Sequence, residues 1–148
     1  MKEQHLKTFV SGVSGYFEHF TAQPAEVHAP YIDDQPPRLL DYTAVIGISG
    51  GYQGCVYFTA GTPLLQELLA RAGETGAADA DSLADAAGEV ANTISGNARG
   101  ELGAGFTISV PSRLRGQPAD FARPPSVPAF VIPISWQGHR SELVVCLR

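Results

Sequence analysis

The sequence predicts an α+β fold: a mostly antiparallel sheet built from hairpins, with long helices packed on one face. Three observations lead there. Two pairs of β-rich runs are each separated by only a few turn residues, which marks hairpins and therefore antiparallel pairing. Two long segments repeat their apolar residues at helical intervals. The order along the chain is helix, strand, hairpin, helix, helix, strand, hairpin, with no internal repeat, so residues 1–148 are read as a single domain.

Residues 3–20 place Leu6, Phe9, Val10, Val13, Phe17 and Phe20 at helical spacing, in a helix weakened by Gly12 and Gly15. Residues 25–33 are extended, with Pro24 and Pro30 flanking or interrupting them, and DQPPRL is a loop. The runs DYTAVIGIS (41–49) and QGCVYFTA (53–60) form a hairpin across Gly50, Gly51 and Tyr52. Thr62 as N-cap and Pro63 at the first helical position open a helix over 62–73, with Gly73 as its terminator. The linker ETGAADA leads to a second long helix from about Ser82 to Leu102, ended by Gly103 and Gly105. FTISV (106–110) is a strand stopped by Pro111, and the polar, Pro-rich residues 112–126 read as a loop. The last hairpin pairs PAFVIPIS with RSELVVCLR across WQGH. Pro133 there suggests an edge position or a bulge. Trp136 falls in the turn and reads as a cap on the sheet, with His139 beside it as a solvated turn residue.

Composition removes several function classes. The chain has 44% hydrophobic and 17% charged residues, ordinary for a globular protein, and a net charge of −5, which argues against a broad nucleic-acid surface. No apolar stretch approaches the roughly 20 residues needed to span a bilayer, and the N-terminal segment is too polar for a signal peptide. The expected location is therefore the cytoplasm, with no membrane contact. Cys55 and Cys146 lie in apolar strand-like runs and read as buried, reduced thiols. His5, His19, His28 and His139 do not pair at metal-ligand spacing, so no metal site is expected. GISGGYQG lacks the Lys-Ser/Thr of a phosphate-binding loop and reads as a hairpin turn; Ser49, Ser95 and Ser141 lie in no nucleophile elbow.

The segment DAAGEVANTISGN (85–97) is a poor helix by design: two glycines, two asparagines, a threonine and a serine all cost relative to Ala. Placed on a wheel at about 100° per residue, Leu83, Ala87, Val90, Ile94, Ala98 and Leu102 form the core stripe. Asp85, Glu89, Asn92 and Gly96 fall together on the opposite side, spaced four, three and four, as one ridge. A plain solvated face would also look like this, and E-x-x-N occurs by chance in roughly a third of chains of this length. The sacrifice of helix propensity argues that something other than stability selected these residues.

The stretch LADAAGEVANTISGNARGEL resembles the signature helix of the CheC/CheX family of bacterial response-regulator phosphatases. Its pattern D/S-x-x-x-E-x-x-N is met by Asp85, Glu89 and Asn92, followed by I-S-G-N-A. The hairpin VIGISGGYQGCVYFTA ahead of it is also similar to this family, and the likeness spans roughly residues 40–111. One copy of the signature resembles the CheX branch; the helix at 62–73 carries no second E-x-x-N. The family usually has a proline 23 positions after the asparagine; here Arg115 stands there, and Pro111 comes four residues earlier.

The resemblance implies a phosphatase for the aspartyl phosphate of a CheY-like receiver domain. Asn92 would orient the attacking water and Glu89 would contact the receiver's lysine. Asp85 would add a weaker contact on the same ridge, and Gly96 would leave room for the partner. The protein needs no cofactor of its own, because the receiver supplies Mg²⁺. A homodimer is implied as well, for which the last hairpin, with Val144, Val145 and Leu147, offers an edge. The rival readings are a receiver-binding or flagellar-switch-like module without catalysis, and a structural protein whose ridge is only solvated. Arg113 and Arg115 read as residues of a solvated loop, with steering of an acidic receiver as the alternative.

Overall fold

The structure is a computed structural model that describes residues 1–74 and 76–148. The linker expected at 74–80 includes Thr75, which lies outside the described residues. The elements run α1 (Glu3–Thr21), β1 (Glu26–Val27), β2 (Tyr31–Asp33), β3 (Tyr42–Gly50), β4 (Gly54–Ala60), α2 (Thr62–Arg71), α3 (Ala80–Leu102), β5 (Phe106–Ile108), β6 (Ser112–Arg115), β7 (Ala129–Trp136) and β8 (His139–Leu147). The strands form one sheet in the order β1-β7-β8-β4-β3-β5, with β2 also on β7 and β6 also on β3. Every pairing is antiparallel. The α+β class and the hairpin-built sheet are as the sequence predicts.

Period-two alternation sorts the central strands onto two buried faces. Val56, Phe58, Leu143, Val145 and Leu147 meet Phe9, Val13, Phe17, Leu65, Val90 and Ile94 of the helices. Cys55, Tyr57, Val144 and Cys146 point the other way, where Leu39, Phe121 and Val127 cover them. The loops before β3 and before β7 thus act as a strap over the face that has no helices. Phe121 packs edge-on against Tyr57 at 5.4 Å, and Arg123 Nη1 holds Asp33 Oδ2 at 3.2 Å. Cys55 and Cys146 stand directly opposite each other across β4 and β8 as free, buried thiols. Gly54 is required where that ladder begins. Its φ is +142°, and a Cβ there would stand 1.8 Å from the Cys146 carbonyl oxygen.

Several expectations are corrected. Residues 112–126 are not all loop, because Ser112–Arg115 pairs with Tyr42–Val45. Its Ser-Arg-Leu-Arg pattern suits an exposed edge, where charge protects against stray pairing. Strand 106–110 ends at Ile108, and Ser109 continues the contact through Gly47, whose N–H donates to Ser109 Oγ at 2.9 Å. Pro30 splits the extended segment into β1 and β2.

Pro133 lies on neither an edge nor a bulge. Its carbonyl accepts from His28 N–H at 2.9 Å, so its missing donor faces the gap between β1 and β2. The helix over 62–73 ends at Arg71. Gly61, not Thr62, is its N-cap; Asp41 Oδ2 accepts from Thr62 N–H at 2.8 Å in place of a cap side chain. Trp136 is buried at the end of β7 rather than in a turn, and His139 is the half-buried first residue of β8, 3.2 Å from Glu67. Phe20 is 54% exposed and stacks on Tyr16 outside the core. The last hairpin offers no free edge, since β8 lies between β4 and β7.

Candidate functional site

Helix α3 begins two residues before its expected start because Asp79 caps it. The Asp79 carboxylate accepts from Ser82 N–H at 2.8 Å, and that backbone bond holds its carboxyl below the ordinary value. The inner stripe is wider than the wheel alone suggests. Leu83, Ala84, Ala87, Gly88, Val90, Ala91, Ile94, Ser95 and Ala98 are all buried, and Leu102 is partly so. On α1, Gly12 lets the two helices close: a Cβ there would meet Ile94 Cγ2 at 3.3 Å. With β3 and β4 below and α1 beside it, α3 is held rigidly in register and rotation.

That rotation turns Asp85, Glu89, Asn92 and Gly96 outward together, all four exposed. Glu89 and Asn92 lie one turn apart on the same face. Nothing approaches the place where a Gly96 Cβ would be within 4 Å, so the backbone is open to a partner at that point. Asp85 differs from its neighbours. Its carboxylate is engaged by Arg113 Nη1 from β6, and Arg115 reaches Asp81 one turn earlier at 2.6 Å. The Arg113–Asp85 side chains are 52% and 62% exposed, and pairs of that kind contribute about 0.2–1 kcal/mol.

A groove of about 470 Å³ runs along one flank of the ridge, lined by Asp85, Gly88, Glu89, Asn92, Val110, Pro111 and Arg113. Pro111 closes its floor against Gly88, where a Cβ would lie 3.7 Å from the proline ring. Val110 projects at its rim, 83% exposed. A second groove of about 450 Å³ runs along the other flank between α1 and α3, bordered by Tyr16, Phe20, Thr93 and Asn97. Burial, and then the nearby Glu89 carboxylate, push the Tyr16 hydroxyl well above the ordinary tyrosine range, so it stays neutral.

The ridge is thus an acid and an amide raised between two grooves and fixed from behind by the core. The arrangement suits insertion into a partner's cleft rather than enclosure of a small substrate. Sequence reasoning found the ridge but not the groove wall. Val110, Pro111 and Arg113 come from a segment read as a strand end and a loop, and only the β6 pairing brings them to α3.

Among the described residues no helix is long and apolar enough to cross a membrane. The family profile described as "Chemotaxis phosphatase CheX" matches residues 42–135, more than half of the chain. No curated protein matches. Among solved structures, CheX from Desulfovibrio desulfuricans is 24% identical, covers 98% of this chain and 99% of its own, and superposes with a TM-score of 0.84. A CheC-like superfamily protein from Shewanella sp. PV-4 is 18% identical over 100% and 99% of the two chains, with a TM-score of 0.86. A chain from the CheX-CheY-BeF3-Mg²⁺ complex of Borrelia burgdorferi is 18% identical over 97% of each chain, with a TM-score of 0.77.

Proposed function

The chain belongs to the CheX family of chemotaxis phosphatases, and from that premise we propose that it hydrolyses the aspartyl phosphate of a CheY-like receiver domain in the cytoplasm. The observation that carries this reading is the exposed ridge, with Glu89 and Asn92 one turn apart on a helix whose opposite side is core. A mixed anhydride of phosphate and carboxylate is already activated. The receiver brings its own Mg²⁺ and lysine, so the phosphatase must supply position rather than strong acid–base chemistry. Asn92 enters the receiver's site. Its amide oxygen accepts a hydrogen bond from water, and its NH₂ donates nearby. The water oxygen attacks phosphorus in line as the P–O bond to the aspartyl group breaks. The receiver's carboxylate leaves with the bonding pair, and the water's protons pass to inorganic phosphate and solvent. The gain comes from orientation, as with the water-positioning glutamine of small GTPases.

Glu89 accepts a charge-assisted hydrogen bond from the receiver's lysine and fixes the register of docking. Gly96, one turn past Asn92, leaves the backbone clear for the receiver's loops. The reading is tested by following the decay of a phosphorylated receiver with and without the protein. Glu89→Ala is expected to weaken receiver binding about tenfold. Ala is a better helix former than Glu, so its fold should be intact; an unaltered dissociation constant would remove Glu89 from the interface.

In place of the last hairpin, β2 is proposed as the edge for the expected dimer. Among the described residues this edge strand pairs only with β7, and it exposes Tyr31 and Ile32, at 48% and 63%. An apolar edge of this kind adds readily to a second copy of itself. Sedimentation at micromolar concentration should give twice 15.7 kDa for the native chain and the monomer mass for Ile32→Lys. A native chain that sediments only as monomer would exclude the pairing.

A further inference from the structure

We propose that Arg113 reads the phosphorylated state of the receiver: its guanidinium, held on Asp85 in the groove that Asn92 lines two turns further along α3, moves onto the phosphoryl oxygens when the receiver docks. The inference rests on the phosphatase reading above and adds a residue outside the signature helix to it.

Four features support it. Among the described residues, Arg113 is the single cation lining the groove that also contains Glu89 and Asn92. Its backbone is fixed, because β6 pairs Arg113 with Ala44 of β3. Its stem crosses α3 at Gly88, where the absent side chain leaves the Arg113 Cδ 3.8 Å from a Cβ position. The guanidinium is held by a single Nη1–Oδ1 contact to an exposed carboxylate, a weak hold that a better acceptor can displace.

Charge supplies the need. The chain carries a net −5, and Asp81, Asp85 and Glu89 all lie along the outer side of α3. A doubly charged phosphoryl group brought to Asn92 would face Glu89 one turn away, with Asp85 one turn beyond it. A planar guanidinium offers two parallel donors to two phosphoryl oxygens, which an ammonium cannot match. Exchange of Asp85 for the phosphoryl group requires the long Arg113 side chain to swing along the groove from Asp85 toward Asn92, both of which line it, and no covalent bond of the protein changes. Asp85 is on this account a positioning residue for Arg113 rather than a direct contact of the receiver.

The experiment compares binding to a purified receiver, alone and loaded with beryllium fluoride and Mg²⁺ as the phosphoryl mimic. Native protein should prefer the loaded form. Arg113→Ala should lose about tenfold or more in affinity for the loaded receiver and less than twofold for the unloaded one. Arg113→Lys should recover part of the preference, and the KM for phosphorylated receiver should rise in parallel. Melting curves establish that each variant is folded, and Arg113→Gln, which keeps the packing of the stem, serves if Arg113→Ala is not. Equal losses for both receiver forms, or none, would overturn the assignment, as would a native protein indifferent to loading. Failure of the native protein to accelerate dephosphorylation would instead overturn the phosphatase reading.

Discussion

Asn92→Ala should lower the accelerated decay of a phosphorylated receiver by about 100-fold or more while leaving the complex with that receiver largely intact. The prediction is sharp because the substitution cannot act through stability. Asn92 is exposed on α3, and among the described residues no side-chain hydrogen bond of the fold uses its amide. Ala in its place raises helix propensity by about 0.5 kcal/mol. A well-folded, receiver-binding and inactive protein is thus the expected result, read by single-turnover decay beside a binding isotherm. Retained acceleration would show that water is positioned by some other group. Asn92→Asp is an informative companion, since it keeps the oxygen acceptor but adds a negative charge where the phosphoryl group must sit. It should be slower than the native protein despite being nearly isosteric.

The largest stability effect is expected from Trp136→Ala, at about 3–5 kcal/mol. Trp136 is 1% exposed, and its ring lies 5.3 Å from that of Phe17 on α1. The Arg71 guanidinium of α2 sits over it at 5.5 Å, and its indole N–H donates to the Gln23 carbonyl at 3.1 Å. One side chain therefore ties the end of β7 to both flanking helices and to the turn after α1. For a chain of this size each kcal/mol moves the melting temperature by about 2–4 °C, so the midpoint should fall by roughly 10 °C. Trp136→Phe keeps the ring contact but loses the indole donor, leaving the Gln23 carbonyl with Thr21 Oγ1 alone at 2.9 Å, at about 0.5–1.5 kcal/mol for the lost hydrogen bond. A midpoint shift of only a degree or two for Trp136→Ala would mean that the corner is not packed as described.

How much of this was legible in the sequence follows from which signals are local. The ridge is local: 3.6-residue periodicity alone separates Leu83, Ala87, Val90 and Ile94 from Asp85, Glu89 and Asn92, and the structure keeps that separation. The hairpins are local too, because Gly50–Gln53 and Gln137–Gly138 announce their turns. What failed depends on partners distant in the chain. Ser112–Arg115 is polar and follows a proline, so it reads as loop until β3 is there to pair with it. Pro133 looks unfit for an inner strand until the gap beside Pro30 is seen to need no donor from it. The hydrophobic run of β8 looks in the sequence like an exposed edge, yet it is apolar because it is buried on both faces.

The two-sidedness of α3 has a consequence for control. Amides of the turn carrying Glu89 and Asn92 belong to the helix whose other side is the centre of the molecule, so their exchange with deuterated solvent should require opening of the whole fold. A site built into the least yielding part of a protein cannot be switched by melting and reforming it.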